Sequence, residues 1–139
     1  VSFGTLSKLF CNFKDNSVKK KVAKEFLLPQ YLYLENWIKC IAVLRNACAH
    51  HARIWNRRFP TMPIMPNYLP SQWLITGNFR PNKLYPQLCC LAYLEQSIAA
   101  NGSFSKRLLK LIDKSEIVNT RSMGFPQEWK NEPLWIING

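Results

Sequence analysis

The sequence predicts an all-α fold: a bundle of four to five helices, one long proline-rich connection and an irregular C-terminal tail. Three observations carry this prediction. Apolar residues recur at three- and four-residue spacing in five successive segments. Strand-like alternation of apolar and polar residues is scarce. Prolines crowd one stretch, with Pro60, Pro63, Pro66, Pro70, Pro81 and Pro86, and a connection of that length is either functional or wraps the surface. At 139 residues the chain suits a single domain spanning 1–139, large enough for a true core.

The first segment, residues 2–13, opens on Ser2 as a helix cap and puts Phe3, Leu6, Phe10 and Phe13 on one face. Asp15-Asn16-Ser17 breaks and recaps the chain. Residues 18–28 follow, with Val18, Val22 and Phe26 inward and Lys19, Lys20, Lys21 and Lys24 outward, a solvated face or an RNA contact. Pro29 starts the third helix, and no Gly or Pro interrupts it until Pro60. Its roughly 25 residues would span close to ~40 Å, the longest element. Leu34, Trp37, Ile38, Ile41, Cys48, Ala52 and Trp55 form its buried stripe.

Phe59, Tyr68, Trp73, Phe79 and Tyr85 in the connection, with Arg80 and Lys83, either stack bases or cover an apolar patch, and covering is the preferred reading. Residues 83–100 form the fourth helix, with Leu84, Leu88, Leu91 and Ile98 inward and Asn101-Gly102 as its stop. Ser103 caps the fifth, apolar at Phe104, Leu108, Leu111 and Ile112 and basic at Lys106, Arg107 and Lys110. In the turn-rich tail, residues 116–139, Phe125, Trp129 and Trp135 are expected to pin the chain to the bundle.

Charge and cysteines narrow the function. The net charge is +11, from 19 Lys and Arg against 8 Asp and Glu, which favours a polyanionic partner. No apolar run approaches the ~20 residues that a bilayer span needs and no signal peptide is visible, so the expectation is a cytoplasmic protein without a membrane segment. Cys11, Cys40, Cys48, Cys89 and Cys90 are odd in number and lack Cys-x-x-Cys spacing. That argues against a disulfide framework or a zinc ribbon. Cys48 with His50 and His51 is read as a small buried thiol beside two histidines rather than a metal site, and no metal or cofactor is expected. Because the chain opens on Val1, it is expected to be the C-terminal part of a longer protein.

The densest cluster of reactive and basic side chains is Arg45-Asn46-Ala47-Cys48-Ala49-His50-His51-Ala52-Arg53-Ile54-Trp55-Asn56-Arg57-Arg58. Asn46, His50 and Arg53 stand at i, i+4 and i+7 and share a helix face. Arg45 projects from within the apolar stripe, where an unpaired cation is costly. Arg45-Asn46-x-x-x-His50 resembles the Arg-(Asn/Asp/His)-x-x-x-His signature of HEPN-superfamily ribonucleases. The wider string through Arg57 is similar to the Abi-like (abortive infection) branch. So are Ser2-Phe3-Gly4-Thr5-Leu6-Ser7, Met123-Gly124-Phe125-Pro126 and Glu132-Pro133-Leu134-Trp135. The resemblance implies a HEPN-like helical bundle, a role in phage defence and a homodimer.

The residues themselves speak to the chemistry. From Asn36 to Leu94, 59 residues, there is no Asp or Glu, while seven Lys or Arg occur. Two-metal phosphodiester cleavage needs clustered carboxylates. Metal-free transesterification of RNA needs instead a histidine, which ordinarily titrates near ~6.5, and an arginine for the charge that develops as the 2′-hydroxyl attacks. In this reading His50 is the general acid or base, with His51 ranked second. Arg45 clamps the phosphate and Asn46 orients His50 or the phosphate. Lys39, Arg53, Asn56, Arg57 and Arg58 hold the RNA backbone. In-line attack wants a base and an acid on opposite sides of the phosphate, and a two-fold axis near His50 would supply a second histidine. Two alternatives stay open: a non-cleaving RNA-binding module, and an interaction domain of a toxin–antitoxin-like system with an inhibitory partner or a guide or antitoxin RNA.

Overall fold

The computed structural model describes residues 3–50, 54, 55, 57–70, 72–75, 77, 79–98, 104–115 and 119–136. Among them the fold is all-helical, with α1 (Phe3–Cys11), α2 (Asn16–Glu25), α3 (Tyr31–Ala49), α4 (Leu84–Ile98) and α5 (Phe104–Lys114). Two 3₁₀ turns, Trp129–Asn131 and Pro133–Trp135, close the tail. No helix of the described residues is long and apolar enough to cross a membrane.

Local chemistry sets several boundaries. Asp15 caps α2 by accepting from the Ser17 N–H at 2.9 Å. Behind α2, Leu27 takes a left-handed φ of 56°, and the Leu28 N–H donates back to the Ala23 carbonyl at 3.0 Å. Glycine normally fills that position. At the start of α5 the Glu95 carboxylate accepts from the Phe104 N–H at 2.7 Å, at the end of the helix dipole that favours an anion. Ser103 and Asn101-Gly102, expected to supply the cap and stop here, lie outside the described residues.

The core forms around α3 and α4. α3 packs on α1, α2 and α4, and α4 packs on α3, α5 and the second 3₁₀ turn. The stretch from Leu84 to Leu94 carries no charge and is buried nearly all round, as a helix without a polar face must be. Pro86 sits in its first turn, where a missing N–H breaks no helical bond. Trp37 stacks on Trp73 with ring centroids 5.5 Å apart, and Tyr93 meets both edge-on. A second aromatic group, Tyr85, Phe125, Trp129 and Trp135, fastens the tail as expected. There Gly124 has φ +85°, and a Cβ on it would stand 2.5 Å from Lys83 Cβ. Only glycine allows that approach.

Several expectations are corrected. α3 stops at Ala49, with His50 as its C-cap, instead of running on toward Pro60. The reason is tertiary. The connection turns back along α3, and the Ile64 N–H donates to Asn36 Oδ1 at 2.7 Å while Trp37 Nε1 donates to the Ile64 carbonyl at 2.8 Å. A helix continued to residue 60 would carry the chain roughly 16 Å further from Asn36 instead of back toward it. The buried side of α3 also turns, from Leu34, Trp37 and Ile41 toward Cys40, Leu44 and Ala47. Arg45 and Cys48 therefore lie exposed rather than in the buried stripe, Trp55 is exposed beyond the end of the helix, and Ala52 lies outside the described residues.

Leu6, Val18, Ile98 and Leu111 are likewise exposed, because their helices bury narrower faces than the periodicity suggests, and Phe13 is exposed because α1 ends at Cys11, short of the expected residue 13. Lys19 is the opposite case. It is buried, and its Nζ donates to the Cys11 carbonyl at 2.8 Å and to Glu35, tying the end of α1 to α3. The connection's aromatics mainly cover the core: Phe59, Trp73 and Tyr85 are buried, while Tyr68 is exposed.

Candidate nucleic-acid interface

Asn46 and His50 are placed by the final turn of α3. The His50 backbone N–H donates to the Asn46 carbonyl at 3.1 Å, so the two residues stack one turn apart, both exposed. Arg45 is exposed on the same turn. At ~100° per residue it stands about 140° around the axis from His50. A single chain therefore groups Asn46 with His50 and leaves Arg45 on another side.

Below this turn lies a groove of about 520 Å³ between α1 and α3, lined by Lys8, Asn12, Lys39 and Asn46 among others. Lys39, one of the expected RNA-backbone residues, thus shares a groove with Asn46. Arg57 and Arg58 are exposed beyond the end of α3, and the Arg57 guanidinium lies 5.8 Å from the Phe59 ring centroid. His51, Arg53 and Asn56 lie outside the described residues. Lys8 and Asn12 were missed from the sequence. They stand at i and i+4, Lys8 on α1 and Asn12 just past its end with its N–H on the Lys8 carbonyl, and that pairing was visible, but which helix would receive that face was not.

The acids explain why the surface stays basic. Of the eight Asp and Glu, Asp15 caps α2, Glu35 pairs with Lys19, Glu95 meets the start of α5 and Glu132 accepts from the Ile75 N–H inside the protein. Asp113 pairs with Lys130 on the surface at 2.9 Å. Lys20, Lys21, Lys24, Lys39, Arg45, Arg57 and Arg58 are exposed without a carboxylate within ion-pair distance among the described residues. The same residues hold no group of three or more His, Cys, Asp or Glu arranged to share a metal ion. Cys48 is exposed, against expectation, whereas burial pushes the Cys40 thiol up to about 11 and those of Cys89 and Cys90 well above the ordinary range.

Fold and surface together define an all-α bundle whose internal ties use most of its acids and whose groove between α1 and α3 sets two lysines and two asparagines beside an apolar floor that includes Ala42 and Val43. Residues 1–56 of this chain match the model of the family described as Abi-like protein. That span holds α1, α2, α3 and the Arg45-Asn46-x-x-x-His50 stretch. No curated protein and no solved structure gives a significant match.

Proposed function

We propose that the chain is a metal-independent endoribonuclease of an abortive-infection system. The Abi-like match over residues 1–56 supports the defence role. One observation carries the chemistry: Arg45, Asn46 and His50 stand exposed at the end of α3, beside a basic groove, in a stretch of 59 residues without a carboxylate. His50 takes the proton of the attacking 2′-hydroxyl or gives one to the leaving 5′-oxygen. Arg45 stabilises the charge gathering on the phosphorus-bound oxygens, and Asn46 orients the imidazole or the phosphate. Lys39, Arg57 and Arg58 hold the backbone, with His51, Arg53 and Asn56 as further contributors. Because Arg45 and His50 stand on different sides of one helix, a second copy of the chain completes the site across a two-fold axis.

The test is cleavage of an RNA oligonucleotide in EDTA. The expected products are a 2′,3′-cyclic phosphate and a 5′-hydroxyl, with the matching DNA left intact. His50→Ala and Arg45→Ala should each lose at least ~10²-fold in rate, and His51→Ala should lose less. Activity that vanishes in EDTA, or persists undiminished in His50→Ala, overturns the mechanism. The separation of Arg45 from His50 also favours a second reading, a module that binds RNA without cutting it. Protection of RNA without cleavage would select that one.

A further inference from the structure

We infer that the groove between α1 and α3 is the seat for the RNA backbone a few nucleotides away from the cut, gripped from both walls by Lys8 and Lys39. The inference rests on the ribonuclease reading and adds to it a place and a direction for the substrate. Lys8 on α1 and Lys39 on α3 line one groove of about 520 Å³. Both are exposed, and neither has a carboxylate within ion-pair distance among the described residues. The acids close in sequence are engaged elsewhere: Asp15 with the Ser17 N–H, and Glu35 with Lys19. Two lysines lining one groove, with no carboxylate to neutralise them, give it a positive potential that favours an anion. Beside an apolar floor that includes Ala42 and Val43, the remaining polar residues that line the groove are Ser7, Asn12, Asn46 and Thr61. Such groups hydrogen-bond to phosphate and sugar oxygens without carrying a charge of their own.

The groove also points somewhere. Asn46 closes one end of it, and His50 lies one turn further along the same face. From Lys39 to His50 the helix rises on the order of 16 Å. A strand held at Lys39 and cut beside His50 must bridge that length, so the grip acts on nucleotides remote from the reacting phosphate. Interactions of that kind position a substrate and are lost when it is shortened. Lys8 and Lys39 are thus positioning residues.

The experiment titrates a fluorescein-labelled 2′-O-methyl RNA 12-mer, which cannot undergo 2′-hydroxyl attack, against the full chain by anisotropy. Lys8→Glu/Lys39→Glu should weaken binding at least about ten-fold and flatten its salt dependence, whereas Lys110→Glu/Lys114→Glu on α5, with the same change in charge, should weaken it less than about three-fold. If the glutamate pair lowers the melting temperature, Lys8→Gln/Lys39→Gln provides the same comparison. Equal weakening by the two pairs overturns the inference. So does binding unaffected by either, or an 8-mer and a dinucleotide that depend equally on the lysines. The probe is uncleavable, so this outcome is independent of catalysis: tight, groove-dependent binding with no cleavage of ordinary RNA would sink the ribonuclease reading and leave the seat standing.

Discussion

Near the start of α3, Glu35 holds Lys19, Asn36 exchanges hydrogen bonds with Met62 and Ile64, and the buried Trp37 donates to the Ile64 carbonyl. At the other end of the same helix Arg45, Asn46, Cys48 and His50 are exposed, and no side-chain hydrogen bond or ion pair engages them among the described residues. The difference shows where this fold spends its polar groups. The first half uses them to hold the connection, since the backbone groups of Thr61, Met62 and Ile64 find partners in Gln87 of α4 and in Asn36 and Trp37 of α3, while the Pro66 carbonyl accepts from Trp73 within the connection itself. The last turn leaves them available to something outside.

Substitutions at the two ends should therefore separate stability from activity. The largest expected effect is at Trp37. Trp37→Ala removes a stacked, fully buried ring and should cost about 3–5 kcal/mol in urea unfolding, while His50→Ala should stay within about 0.5 kcal/mol of the parent. A comparable loss for His50→Ala would erase the contrast.

Next comes Lys19. Lys19→Ala strands Glu35 and the Cys11 carbonyl in a mostly buried position and should cost on the order of 3 kcal/mol, whereas Lys19→Met with Glu35→Leu should recover most of it. A double variant as unstable as the single one would mean that the pair is not what ties α1 to α3. Asn36→Ala should cost about 1–2 kcal/mol and raise hydrogen exchange at the Ile64 amide. An unchanged exchange rate would mean that the connection is held by its buried aromatics alone.

The smallest effects concern the thiols. With a thiol reagent at neutral pH, Cys48 should react promptly while Cys40, Cys89 and Cys90 stay silent until unfolding. Burial pushes Cys40 up to about 11 and Tyr93 up to about 12, so the folded state favours their neutral forms. That contribution is whole below the ordinary thiol range near ~8.5 and is lost as pH rises through 11 and 12. Urea midpoints should thus fall from pH 8 to pH 11, and less steeply in Cys40→Ala.

How much of this was legible in the sequence differs between the two halves of the problem. The all-α class, the five segments and the pinning role of Phe125, Trp129 and Trp135 follow from spacing alone. The stop at Ala49 does not, because no Gly or Pro marks it and the cause is a pairing with residues more than twenty positions away. Lys19 looked like one more solvated lysine, since only the arrival of Glu35 and the Cys11 carbonyl beside it makes burial tolerable. At the site, the i, i+4 spacing of Asn46 and His50 predicts a shared helix face but not its exposure, which depends on how α3 is seated. Arg45 was expected at a buried edge and stands in solvent. That Lys8 and Asn12 would face α3 could be seen only once α1 was seated on it.

The backward-running connection has a consequence for how fast the chain reaches this state. Helical bundles usually fold quickly because their contacts are local. Here the Asn36 ties join residues 26 and 28 apart, Glu132 reaches the Ile75 N–H across 57 positions, and the Tyr93 hydroxyl meets the Phe26 carbonyl across 67. Each such closure must be made at an entropic cost before its contacts contribute. The five helices form locally, but the buried surface of Trp37, Trp73 and Tyr93 is complete only after the connection has come back. The rate of the last step is thus set by the longest loop rather than by the helices, and until it closes those three aromatic rings are exposed to solvent and to other unfinished chains.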